Sequence, residues 1–232
     1  MPFNEHQIYM TKEKKDKTGN VFVVPSVTTI LNVVGDPEAL IKWALKETFK
    51  DIDWEKKEMG DYKKELQWLA DIGTCFHEHA ASVVMRRDPD LLRKGYDQIL
   101  VDNIQYCIES FDEWVDRHEI EVLHVEQPFV SDVYLLGGTI DLIAKINGTT
   151  EIIDFKSGSV QEEKHKMQIV AYMMLARESG ITVNQGRIVY CHRSKNRQLK
   201  EIVIYENEIK KYWDSVRAAK HLYQFLYSER KK

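Results

Sequence analysis

The chain has 232 residues, 43% hydrophobic and 30% charged, with a net charge of −4. This is an ordinary composition for a soluble folded protein, and it argues against a broadly basic nucleic-acid coat; a nucleic-acid partner would have to meet a local basic lining or a bound metal. No apolar run approaches the ~20 residues of a membrane span and no signal-peptide pattern opens the chain, so a cytoplasmic protein with no membrane partner is expected.

In chain order, residues 7–10 and 20–25 read as short strands around a charged stretch that ends in Thr18-Gly19-Asn20, a hairpin tip. Ser26 can cap a helix whose apolar face is Val27, Ile30 and Leu31. Asp36-Pro37 starts a helix over 37–50 with Trp43 and Leu45 in its stripe. Residues 51–71 read as a helical, partly exposed cap; Lys56, Lys57, Lys63 and Lys64 there suit a solvated face or a DNA backbone. Gly73-Thr74 is expected to begin a helix over 74–87 carrying His77, Glu78 and His79. Position 81 is alanine, so this is not the H-E-x-x-H of zinc peptidases. Residues two apart on a helix point different ways, so at most one of the two histidines joins a given site. After a break at Asp88-Pro89-Asp90, a long core helix is expected over 91–118. Residues 119–130 then read as a strand containing Glu126.

The most informative stretch follows. Thr139–Ile146 and Glu151–Lys156 are apolar, β-branched runs joined through Asn147-Gly148, a strong hairpin signal. Each run carries a carboxylate, Asp141 and Asp154, and Lys156 shares a strand face with Asp154. Two carboxylates and an ammonium are costly to bury unless they pair or coordinate something. Two carboxylates suit a hard divalent cation, and the lysine can orient a water or offset charge on a phosphate. The plain alternative is an Asp154–Lys156 surface pair on a half-exposed strand. A helix over 161–179 sets Gln168 and Tyr172 on one face, and Gly180 ends it. Strands over 186–193 and 199–205 flank a basic turn from Arg193 to Arg197, and a last helix over 207–229 places Ile209, Trp213, Val216, Leu222 and Phe225 on the core. The order gives an α/β fold with a mixed central sheet.

These motifs carry a resemblance. Gly138-Thr-Ile-Asp141 followed by Ile153-Asp-Phe-Lys156 resembles the D…D-x-K core of the PD-(D/E)XK nuclease superfamily, in its RecB-like exonuclease branch. Gln168-Ile-Val-Ala-Tyr172 resembles that branch's Q-x-x-x-Y motif, and Gly73-Thr-Cys-Phe-His77 its upstream helical histidine. Pro25-Ser-Val-Thr-Thr-Ile-Leu31 is similar to the opening motif of phage-type members. The resemblance implies a restriction-endonuclease-like core, helices flanking a mixed sheet, with a helical N-terminal insertion. It implies one nuclease domain over 1–232, mostly helical through 118 and built on the sheet from 119.

The implied activity is a metal-dependent deoxyribonuclease, an exonuclease on single-stranded DNA ends. His77, Asp141, Asp154 and the Phe155 carbonyl would hold magnesium or manganese. Lys156 would orient the attacking water, and Glu126 would complete the acidic cluster or hold Lys156. Gln168 and Tyr172 would hold the DNA strand. Some members carry an iron–sulfur cluster on four cysteines; with only Cys75, Cys107 and Cys191, widely spaced and without C-x-x-C, neither that cluster nor a zinc ribbon is expected. No P-loop is present, so unwinding would need a helicase or recombination partner. The rivals are a structure-specific or restriction endonuclease on the same core, and a non-catalytic DNA-binding assembly module. Asp141, Asp154 and Lys156 together argue against the second.

Overall fold

A computed structural model of the chain describes residues 8–34, 59–195 and 198–227. The helix expected over 37–50, the first residues of the 51–71 segment and Arg197 lie outside the described residues. Strands β1 (Tyr9–Lys15) and β2 (Val21–Val24) form an antiparallel hairpin. Its tip is fixed by the Asp16 carboxylate, which accepts the Thr18 and Asn20 N–H groups. Helix α1 (Val27–Leu31) is capped by Ser26, whose hydroxyl accepts the Thr29 N–H at 3.0 Å. Val27, Ile30 and Leu31 are all buried, the face their spacing predicts.

Helices α2 (Met59–Val84), α3 (Gln98–Asn103) and α4 (Gln105–Asp116) follow. Two expected boundaries are corrected here. Gly73-Thr74 does not begin a helix but lies inside α2, where Gly73 has open space around it and the chain on both sides is helical. The segment 91–118 is not one helix. Gly95 turns left-handed at φ +91°, Asp97 is extended, and Ile104 interrupts at φ −107°, ψ 5°. Leu91, Leu100, Ile104, Cys107, Phe111 and Trp114 of the expected apolar stripe stay buried across these breaks, whereas Leu92 and Ile99, expected on the same stripe, are exposed. Periodicity reports burial and not backbone continuity.

Strands β3 (Ile120–Ser131), β4 (Leu136–Ile146) and β5 (Thr149–Lys156) form an antiparallel meander. The β4–β5 turn is Asn147-Gly148, both at positive φ, the conformation this dipeptide favours in a hairpin. Helix α5 (Glu162–Glu178) crosses over to β6 (Gln185–Tyr190), which pairs parallel to β5. Strand β7 (Lys200–Ile204) completes a five-stranded mixed sheet in the order β3-β4-β5-β6-β7, and helix α6 (Glu206–Tyr227) follows; its core face holds at Ile209 and Val216, but Leu222 and Phe225 near its end are exposed, against expectation.

Both faces of the sheet are covered. Ile143, Ile152, Ile188 and Tyr190 pack with α1, α5 and α6, whereas Leu142, Ile153, Phe155 and Val189 pack with α2 and α4. Two covered faces explain why β5 reads as a nearly continuous apolar run. β4 begins earlier than expected, at Leu136, because its two glycines allow close packing. A Cβ on Gly137 would lie 2.3 Å from the Tyr9 ring, and one on Gly138 would lie 2.6 Å from the Tyr172 ring. The Gly137 N–H also donates to the Pro25 carbonyl at 3.0 Å, tying the N-terminal hairpin to the sheet.

Candidate active site

The site forms where the sheet opens. β4 and β5 pair from Ile146–Thr149 to Leu142–Ile153, and the same register would next set Asp141 opposite Asp154. The ladder stops there. The Asp141 side chain replaces it, with Oδ2 accepting the Phe155 N–H at 2.8 Å. A backbone donor is thus satisfied by a carboxylate at the point where the strands part.

On the other side of β4, Glu126 lies between the Val125–Leu142 and Gln127–Ile140 pairs. Its backbone is left-handed, φ +46°, in a strand already bulged between Val122 and His124. Such irregularities re-aim a side chain next to a site. α2 supplies His77, whose Nδ1 lies 3.5 Å from Asp141 Oδ2 and 3.7 Å from Glu126 Oε1. Ligand atoms of His77, Glu126 and Asp141 all fall within 4.8 Å of one another. One nitrogen and two carboxylate oxygens so placed fit a divalent cation, and the imidazole extends the donor set toward transition metals.

Asp154 and Lys156 sit beside this cluster on β5. Asp154 is 1% exposed. Its Oδ1 accepts from Gln168 Nε2 at 3.0 Å, and its Oδ2 lies 2.7 Å from Lys156 Nζ. No hydrogen bond of ordinary geometry satisfies that buried Oδ2. The Lys156 ammonium is the charge that faces this oxygen. The structure therefore groups Glu126 with His77 and Asp141, and sets Asp154 against Lys156 and Gln168.

The charges explain one another. Burial works against a charged His77, but Asp141 and Glu126 outweigh it and raise the imidazole to about 10. Burial likewise opposes the charged form of Asp141, yet the His77 and Lys156 charges and the Phe155 N–H hold it below the usual carboxylate range. Asp154 goes the other way: burial, reinforced by the Asp141 charge, lifts it to about 6 in spite of Lys156. Burial also raises Glu126, against the pull of His77. The four shifts share one cause: His77, Glu126, Asp141 and Asp154 are packed together beside Lys156.

Gln168 and Tyr172 behave differently from the expectation that they grip DNA. Both are buried, and Gln168 Nε2 donates to the Tyr172 hydroxyl at 3.0 Å as well as to Asp154. The Tyr172 ring, 4% exposed, lies over Gly138 and leaves no open face for a base. The pair reaches inward to the carboxylate. His79, two residues from His77, points elsewhere: its Nε2 is 3.0 Å from Asp112 on α4, a clip between helices. Sequence reasoning left His165 and Tyr190 out of the site region. They meet at 2.8 Å through Nδ1 and the hydroxyl, and only their placement in α5 and β6 brings them together.

A family model described as the PD-(D/E)XK nuclease superfamily matches residues 43–226. No curated protein matches the sequence. One solved structure, titled "Crystal structure of SSO0001", aligns at 18% identity over 77% of this chain and 84% of that one, with a TM-score of 0.29, too low a likeness to support a conclusion.

Proposed function

Because the chain belongs to the PD-(D/E)XK nuclease superfamily, whose members use divalent metals, we propose that it is a metal-dependent deoxyribonuclease of the RecB-like branch, an exonuclease acting on single-stranded DNA ends. The observation that carries this reading is the convergence of His77, Glu126 and Asp141 with Lys156 alongside. His77, Glu126 and Asp141 hold the ion in this proposal, with Asp154 and the Phe155 carbonyl as further oxygens. A divalent cation there supplies Lewis-acid polarisation of the phosphodiester and stabilises negative charge as it develops.

The chain's own side chains do the rest. Lys156 orients the attacking water and offsets charge on the phosphate. Asp154 fixes the ammonium at 2.7 Å, and Gln168 fixes Asp154. Tyr172 locks Gln168 from behind, which makes the α5 pair positioning residues in place of a DNA grip. The imidazole in the ligand set favours manganese over magnesium, so manganese should support cleavage at the lower concentration. A helicase or recombination partner would supply the unwinding.

The test is incubation of matched linear and covalently closed circular DNA with magnesium or manganese. Release of mononucleotides or short products from linear DNA, with the circle intact, supports the exonuclease reading. Internal cuts in the circle would replace it with the endonuclease reading. No cleavage of either substrate with either metal would leave only a binding module.

A further inference from the structure

We propose that His165 is a positioning residue for the same reaction, acting through Tyr190 on the end of β5 that carries Lys156. The proposal rests on the nuclease reading for its kinetic consequence but not for its structural one.

Three observations carry it. First, His165, Gln168 and Tyr172 stand at i, i+3 and i+7 on α5, which sets them along one helical stripe. All three are buried and polar, and each bonds to a polar group beneath or beside it. Gln168 and Tyr172 serve Asp154; His165 extends the same stripe one turn toward Lys156. Second, Tyr190 is the last residue of β6 and the direct partner of Lys156 in the parallel register. The final rung beyond it is the Cys191 N–H donated to the Lys156 carbonyl at 2.8 Å. Tyr190 is fully buried, its ring centroid 5.6 Å from that of His165, and its hydroxyl is held by His165 Nδ1 at 2.8 Å. Third, no carboxylate pairs with His165 among the described residues. Burial, aided by the Lys156 and Lys164 charges, pulls its pKa down to about 3. A neutral ring here adds no second cation beside the Lys156 ammonium.

A buried polar pair with a single shared hydrogen bond is costly to leave half-made, so it fixes geometry strongly. The strand end that bears Lys156 is thereby clamped from two sides, by Asp154 under Gln168 and by Tyr190 under His165. A small displacement of a charged group at a reacting centre is enough to lower turnover without changing substrate affinity.

The experiment uses Tyr190→Phe and His165→Phe, which delete the hydrogen bond but keep a ring, and His165→Asn, whose amide can reoccupy the Nδ1 position. Each variant is first checked by thermal unfolding. The two deletions should lower kcat about tenfold with KM within about twofold, and the double variant should be no worse than either single one. His165→Asn should recover most of the loss. A second readout does not need cleavage: the rate at which Lys156 is acetylated by an amine-reactive reagent, followed by mass spectrometry. The deletions should change that rate by roughly threefold or more as the Lys156 environment loosens, and His165→Asn should restore it. Unchanged kcat and unchanged labelling in folded variants would overturn the inference. So would losses in the two deletions that multiply, or that track melting temperature and resist rescue by His165→Asn. If the wild type cleaves nothing, the nuclease reading falls, and the labelling still decides whether His165 positions Lys156.

Discussion

At the scale of single residues, the site is a set of charges held in tension, and substitutions should separate function from stability. Asp154→Asn keeps the shape and a polar partner for Gln168 while removing a carboxylate that burial already lifts to about 6. Its melting temperature should be equal to or above that of the wild type, while cleavage falls at least ~10²-fold, the loss typical of a key electrostatic group. Glu126 offers a second separation. A left-handed residue other than glycine costs roughly 1–2 kcal/mol, so Glu126→Gly relieves the φ of +46° and offsets the flexibility it adds. That variant should unfold near the wild-type temperature yet bind manganese at least about tenfold more weakly by calorimetry. His165 gives a pH test. Its pKa is depressed in the fold, to about 3, so the neutral form is favoured there. The stability it contributes is complete above the unfolded value near ~6.5 and is lost as pH falls from there toward about 3, by roughly 1.4 kcal/mol per pH unit. The stability difference between wild type and His165→Asn, followed by denaturant unfolding from pH 7 to 4, should therefore shrink as pH falls.

At the scale of elements, the β4–β5 strand pair was legible because its signals are local. The β-branched apolar runs, Asn147-Gly148 and the carboxylate in each run are all readable along the chain, and the observed hairpin follows them. Ser26 as a cap and Gly180 as a helix end were legible for the same reason. The breaks near Gly95 and Ile104 were not, since the buried stripe continues through them. Nor did the sequence reveal that Gln168 and Tyr172 face inward. On a helix covered by a sheet, a buried amide and an exposed one share the same spacing, and only the Asp154 partner distinguishes them. The tight fit of α5 on β4 makes its own prediction. Gly138→Ala would drive a methyl to 2.6 Å from the Tyr172 ring, on the face that holds the Gln168–Asp154 bond. Stability should fall by about 1–3 kcal/mol, and the residual folded protein should cleave poorly, as is also expected of Tyr172→Ala. Tyr172→Phe, which keeps the ring and loses only one buried hydrogen bond, should be the milder change.

At the scale of the whole molecule, a net charge of −4 gives no long-range pull on DNA, and the proposed function therefore rests binding on a cation at the acidic site or on a local basic lining. Calcium should strengthen DNA binding without turnover, while chelation should weaken it in the wild type more than in Asp141→Ala. No helix of the described residues is long and apolar enough to cross a membrane. The mixed sheet, covered on both faces, leaves the opening between β4 and β5 as the place where side chains from α2, β3, β4 and β5 converge. The measurement that tests this most directly is nucleotide release from linear DNA across a manganese titration, for the wild type and Asp141→Ala side by side. The wild type should show saturable, metal-dependent release, and the variant at least ~10²-fold less at every concentration while remaining folded. Equal release by a folded Asp141→Ala protein would contradict the account.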